Sequence, residues 1–197
     1  MKSLLLICLV IVLSAVAYLY YIQPKPVCKQ VLGKVKNEIA VDTIVPQRHA
    51  NRPGANLKVD SIVIHKSARK LVAFSKGKAV LCYKVALGLN PVGAKQVQGD
   101  YKTPEGLYRI NGKNANSLYH KNLGISYPNS ADRARAIKLG QSPGGDIKIH
   151  GLPNGSGYIG KGHLLSDWTW GCIALTNEEI DELYRYVKIG VPVLITA

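Results

Sequence analysis

From Lys58 to the C-terminus, apolar residues come in short runs separated by Gly- and Pro-containing turns, and this punctuation most limits what the chain can fold into. Ser61–His65, Lys70–Ser75 and Ala79–Leu87 are rich in Val, Ile, Leu, Phe and Tyr, residues that suit a pleated, half-buried surface. Ser75-Lys76-Gly77-Lys78 reads as a hairpin turn. Leu107–Ile110 is a further strand, entered through the turn residues Thr103-Pro104-Glu105-Gly106. In Asp146–His150, Ile147 and Ile149 fall on one face and Lys148 and His150 on the other, as the two-residue period of a strand requires. Val191–Thr196 closes the series. One segment carries a clear helical pattern. Thr176 caps it, Glu179 completes a capping box, Ile180, Leu183, Tyr184 and Val187 form one stripe, and Gly190 ends it. Many strands and few helices predict a mainly β domain over 58–197, a sandwich or a partly open barrel.

The N-terminal part is different. Lys2 precedes an apolar run from Leu4 to Ile22, broken by Ser14, close to the about 20 residues that span a bilayer. A signal anchor over 1–22 is the favoured reading, because Tyr18, Tyr20 and Tyr21 suit an interface. Cleavage after Ala15-Val16-Ala17, giving a secreted chain, is the alternative, and a buried core helix is a third. The flanking charges argue against export, since Lys25, Lys29, Lys34 and Lys36 all follow the run. Residues 23–57 read as a linker or stalk punctuated by Pro24, Pro26, Pro46, Pro53 and Gly54, with a short helix around Val27–Ile39.

The formal charge of +14 suits a polyanionic partner or a solubilising surface. The basic residues are scattered, with no recognition helix or aromatic-interleaved stripe, which speaks against nucleic acid. Four cysteines are present. Cys8 lies in the apolar run, leaving Cys28, Cys82 and Cys172; a Cys28–Cys82 disulfide is one arrangement open to them. An odd count in an exported chain flags a free reactive thiol, and the absence of a Cys-x-x-Cys pair speaks against structural zinc.

The densest local signal is Asp167-Trp168-Thr169-Trp170-Gly171-Cys172-Ile173-Ala174-Leu175, preceded by Ile149-His150-Gly151. A thiol must become a thiolate to attack a carbonyl, and an imidazole can take that proton and return it to a leaving amine. Gly171 permits close approach of backbone and substrate, and N–H groups near Cys172 suit an oxyanion. The pair by itself is weak, because a free Cys is often a small buried hydrophobe. His163 is read as assisting His150 or binding substrate, or as a solvent-exposed loop residue. Trp168 and Trp170 either wall a cleft or pack a core. Asp167 is read as orienting His163 or His150 or, the favoured reading, as capping a turn, and His49, His65 and His120 as structural or surface residues. Arg109, Lys138 and Lys148 are candidate carboxylate binders, Lys148 the best because it shares the His150 face.

Several segments, in order along the chain, resemble the YkuD-type L,D-transpeptidases. They are Val85-Ala86-Leu87-Gly88, Gly99-Asp100, Thr103–Tyr108, Ile125-Ser126-Tyr127-Pro128-Asn129, Pro143-Gly144-Gly145, Ile149-His150-Gly151 and Gly171-Cys172-Ile173. The resemblance covers about Lys58 to Ala197. It implies a YkuD-type β fold with a few short helices. It implies Cys172 as nucleophile, His150 as proton donor and acceptor, Gly151 orienting the imidazole, and the Gly171 and Cys172 N–H groups as oxyanion donors. His163, Trp168, Trp170, Lys148 and Tyr127 are assigned to substrate. The implied reaction is exchange on peptidoglycan stem peptides outside the cytoplasmic membrane. The thiol attacks the carbonyl at the L-centre of diaminopimelate in a donor, expels a terminal D-Ala, and a second stem's amine resolves the acyl-enzyme. No metal or organic cofactor is implied.

Departures from the family pattern shift the questions. Trp170 stands where many members have His, Ala174 where many have Arg, and the stretch from His150 to Cys172 is longer, with Pro153–Gly162 expected as a mobile lip. These traits resemble a subgroup reading Asp-Trp-Thr-x-Gly-Cys-Ile-Ala, of which at least one branch hydrolyses links between the wall and an attached protein. Transfer is favoured, with hydrolysis on the same site as the alternative and a non-catalytic wall-binding module as the least favoured.

Overall fold

The computed structural model describes residues 57–197. The expected anchor, the stalk before residue 57, the short helix at 27–39, Cys8, Cys28 and His49 lie outside them. No helix among the described residues is long and apolar enough to cross a membrane.

Eight strands form one sheet. β1 (Ser61–His65), β2 (Lys70–Ser75) and β3 (Lys78–Lys84) come first. β4 (Gly106–Ser117) and β5 (His120–Ile125) follow, then α1 (Ser130–Lys138), β6 (Lys148–His150) and β7 (Ile173–Ala174). α2 (Asn177–Tyr186) and β8 (Pro192–Thr196) close the chain. The order across the sheet is β3-β2-β1-β8-β4-β5-β6-β7. The β1–β8 and β6–β7 pairs are parallel and the others antiparallel.

Long β4 makes the sheet curl. Its Gly106–Arg109 stretch pairs with β8, and from Ile110 onward it pairs with β5 through two register shifts, which bend a strand locally. The two outer edges then meet. Beyond β3, Ala86 and Ala174 exchange backbone hydrogen bonds of 3.1 and 2.9 Å, and Thr169 bonds to Leu87 and Leu89 at 3.0 and 2.9 Å. The molecule is therefore a curled sheet, the partly open barrel of the two expected architectures, and not a sandwich of two sheets.

The β2–β3 turn consists of Lys76 and Gly77, with φ of 50° and 72°, the positive pair that matches the twist of a two-residue hairpin. β3 stops short of the expected Leu87 because residues beyond it cross to β7. α2 begins with the anticipated box: the Thr176 hydroxyl accepts from the Glu179 N–H, and the Glu179 carboxylate accepts from the Thr176 N–H. Ile180, Leu183 and Val187 are fully buried in one core with Leu123, Ile149 and Ile173. Burial of each such side chain contributes about 1.5–3 kcal/mol relative to exposure, which is what fixes α2 against β5. Two cations are buried as well. The Lys66 ammonium donates to the Gly93 and Thr103 carbonyls and to Glu105, and the Lys95 ammonium to Asp100 and the Val97 carbonyl. Cys82 is a free thiol exposed on β3.

Candidate active site

The parallel register of β6 and β7 sets His150 and Cys172 on neighbouring segments of the sheet. Ile149 is paired with Ile173 and His150 with Ala174. Both isoleucines are fully buried in the core, so strand alternation turns Lys148, His150 and Cys172 to the opposite face. That face continues across β5 and β4, where Asn122 opposes His150, Gly124 opposes Lys148, and Gly112 and Asn114 oppose Gly124 and Asn122. Side chains on this floor are small and amidic. A cleft of about 320 Å3 lies on it, lined among others by Asn111, Gly112, Asn122, Gly124, Asp146 and Lys148.

The thiol is held by backbone from β6 and the residues just before it. The Cys172 Sγ donates to the Asp146 carbonyl at 3.7 Å. Burial pushes the thiol's pKa up, and the Lys148 N–H aimed at the sulfur and the Lys148 charge pull it partly back. Cys172 therefore rests as the neutral thiol. His150 is buried, and its Nδ1–H donates to the Gly151 carbonyl at 2.7 Å. With Nδ1 so engaged, Nε2 carries the lone pair. Burial lowers the imidazole pKa to about 4 against a Gly151 bond that opposes the shift, with the charges of Lys148 and His163 adding to it. Gly151 leaves no room for a side chain: a Cβ there would lie 2.8 Å from Asn177 Oδ1 and 3.0 Å from Ile180 Cγ2.

The turn before Cys172 is tied by one hydroxyl. Thr169 Oγ1 accepts from the Gly171 N–H at 3.1 Å and donates to the Cys172 carbonyl at 2.7 Å. This corrects the expectation for Gly171, whose N–H is already engaged within the turn. Glycine is needed there for another reason. Its φ is 123° and a Cβ would meet the Lys102 carbonyl oxygen at 2.7 Å. The neighbouring loop is organised by Asp100, which accepts from the Gln96, Val97 and Lys102 N–H groups and the Lys95 ammonium. These contacts bear out the turn reading of Gly99-Asp100.

Aromatic rings enclose the imidazole. Tyr119 lies 4.7 Å from His150 between ring centroids and Trp168 lies 5.8 Å away, edge-on. The Trp168 indole N–H donates to His163 Nδ1 at 3.4 Å, and the His163 Nε2 is buried without a partner. Thus Trp168 walls His150 and His163 stands behind it, buried and not in solvent. Trp170 is 77% exposed and meets Tyr101 edge-on at 6.0 Å.

Tyr127 is a second correction. It is buried, its hydroxyl donates to the Pro143 carbonyl at 2.7 Å, and its ring packs on Tyr108. Burial pushes its pKa up to about 12. Although it borders the cleft, its polar atom is engaged in holding the loop before β6, because a buried hydroxyl needs a partner. Asp167 does not reach a histidine; it pairs with Arg69 at 2.8 Å and accepts the Leu87 N–H. His65 and His120 engage Thr196 and Asp181, and Arg109 donates to the Gly190 carbonyl. The Pro153–Gly162 stretch is tied to the β4–β5 turn through Asn154 and Leu118. It leads into 3-10 turns at Gly157–Leu165, interrupted at Gly160, with the Leu152 N–H on Asn177 and the Asn154 N–H on Leu118. Sequence reasoning passed over Thr169, Tyr119 and Asp146. For Thr169 a signal existed, a hydroxyl two residues before a glycine; for the other two there was none.

A thiol and a tautomer-fixed imidazole thus lie on neighbouring strands of a curled β sheet, and the cleft lined by Asp146 and Lys148 adjoins the thiol through the Asp146 carbonyl. Residues 60–195 match the L,D-transpeptidase catalytic domain family, YkuD, and the chain belongs to that family. It is 34% identical to YafK of Escherichia coli K12 over 107 residues, 53% of this chain and 36% of that protein. It is 28% identical to YqjB of Bacillus subtilis 168 over 136 residues, 68% of this chain and 70% of that one. Among solved structures, it is similar to the helical cell shape determining protein Pgp2 of Campylobacter jejuni. The TM-score is 0.55 at 27% identity, over 71% of this chain and 47% of that one. The chain thus covers well under half of YafK.

Proposed function

We propose that the chain is a cysteine transpeptidase acting on peptidoglycan stem peptides. The observation that carries this is the β6–β7 register, which turns Cys172 and His150 to one face with His150 Nε2 left as the base. In the proposed reaction Nε2 takes the thiol proton as sulfur attacks the donor carbonyl, and the Cys172 N–H supports the oxyanion. The tetrahedral adduct collapses, the protonated imidazole gives its proton to the leaving D-Ala amine, and a thioester remains on Cys172. An amine from a second stem then attacks the thioester, His150 removes its proton, and the thiol is restored. Water in place of the amine gives hydrolysis with the same residues.

The reading includes an N-terminal anchor with the catalytic domain outside the cytoplasmic membrane, consistent with a substrate found there. The cell shape role named for Pgp2 suits a wall-modifying enzyme. Product analysis tests the reaction. Incubated with purified disaccharide-tetrapeptides, the protein is expected to give crosslinked dimers by mass spectrometry. Shortened stems alone would replace transfer by hydrolysis, and unchanged substrate would contradict both.

A further inference from the structure

Two side chains beside the nucleophile have no part in the chemistry above. Asp146 and Lys148 both touch the Cys172 sulfur through their backbones, one by its carbonyl and one by its N–H. Their side chains form an ion pair of 2.6 Å, with the carboxylate 82% exposed and the Lys148 side chain 32% exposed. Both residues line the cleft. An exposed ion pair usually contributes little to stability, so folding gives no strong reason for it. Asp146 also adopts a φ of 62°, a region that Asp tolerates better than most residues.

The other charges nearby are committed elsewhere. Lys113 borders the cleft, but its ammonium donates to the Tyr184 and Val187 carbonyls at the end of α2 and sits over the Tyr184 ring. Lys95 is buried on Asp100. β7 offers no cation, since Ala174 is fully buried and bonded to Ala86. Among the described residues, Lys148 and Asp146 are then the cation and the anion of the cleft lining that are not committed elsewhere, the first partly and the second largely exposed.

We infer that Asp146 and Lys148 form a clamp for a zwitterionic α-amino-acid head, a group carrying ammonium and carboxylate on one carbon. The ligand's carboxylate replaces Asp146 on the Lys148 ammonium, and its ammonium bonds the Asp146 carboxylate. The cleft thereby selects a stem whose third residue ends in a free amino-acid head, and holds that residue's backbone carbonyl at Cys172. This deepens the proposed reaction and rests on it for the identity of the stem.

Binding to the full chain carrying Cys172→Ala tests the clamp without turnover. The probes are a stem tetrapeptide with the free head, the same peptide carboxamidated there, and the same peptide N-acetylated there. Each blocked peptide is expected to bind about tenfold more weakly by calorimetry, the size of one partly exposed charge-assisted bond. Adding Lys148→Met, which keeps the aliphatic stem, should equalise the free and carboxamidated peptides. Adding Asp146→Asn, which tolerates positive φ, should equalise the free and acetylated ones. Equal binding of all three peptides to the parent protein, or a uniform loss in both variants, would overturn the clamp. Turnover by the unmutated chain is measured alongside. Discrimination without turnover upholds the clamp and removes the reaction; turnover without discrimination does the reverse.

Discussion

At the scale of single residues, the site pairs two neutral groups. Burial raises the Cys172 thiol and lowers the His150 imidazole to about 4, so each resists the charge that an ion pair would demand. In the proposed reaction proton transfer accompanies attack, so His150 must be unprotonated beforehand. The acidic limb of the acylation rate is therefore expected near pH 4, well below the ordinary histidine value of 6.5. Stopped-flow acylation across pH 3–8 measures it; a limb at the ordinary histidine value would contradict the buried base. Little of this was readable beforehand. The Cys172 and His150 motifs stood out in sequence, yet only the register of two short strands turns them to one face. Burial of Lys66 had no sequence signal, because its partners are the Gly93 and Thr103 carbonyls and the Glu105 carboxylate, far along the chain, whereas Lys95 is held within its own loop by Val97 and Asp100.

At the scale of elements, legibility followed pattern strength. β1 and β2 have the expected bounds because each is a compact apolar run, and the Lys76-Gly77 turn marks the end of β2. β5 went unrecognised, since Asn122 and Gly124 face the cleft and interrupt its apolar run. α1 was missed because its sequence is mostly polar, although Asn129 and Asp132 form a capping box. α2 was legible from cap to stripe, and its cap is the place to test its stability. Thr176→Ala removes the acceptor for the Glu179 N–H and is expected to cost about 1 kcal/mol, read as a lower chemical-denaturation midpoint with an unchanged slope. An unchanged midpoint would show that packing alone fixes the helix start.

At the scale of the molecule, the curled sheet fastens its edges next to Cys172, through Ala86–Ala174 and Leu87–Thr169–Leu89. Global stability and the site are thus linked through His150. As pH falls through 6.5, the unfolded chain takes up a proton that the folded chain refuses until about pH 4. Stability should decline over that window by about 3 kcal/mol, and His163 and His65, both lowered by burial, act in the same direction. Denaturation at pH 7, 5 and 4 checks this, and the decline should shrink in His150→Gln; a flat profile would contradict a buried neutral imidazole. The most direct test of the central claim is intact-protein mass spectrometry after brief mixing with a tetrapeptide donor. The account predicts an adduct of the stem lacking its terminal residue, mapped to Cys172 and absent from Cys172→Ala. An adduct at another residue, or turnover that survives in Cys172→Ala, would contradict it.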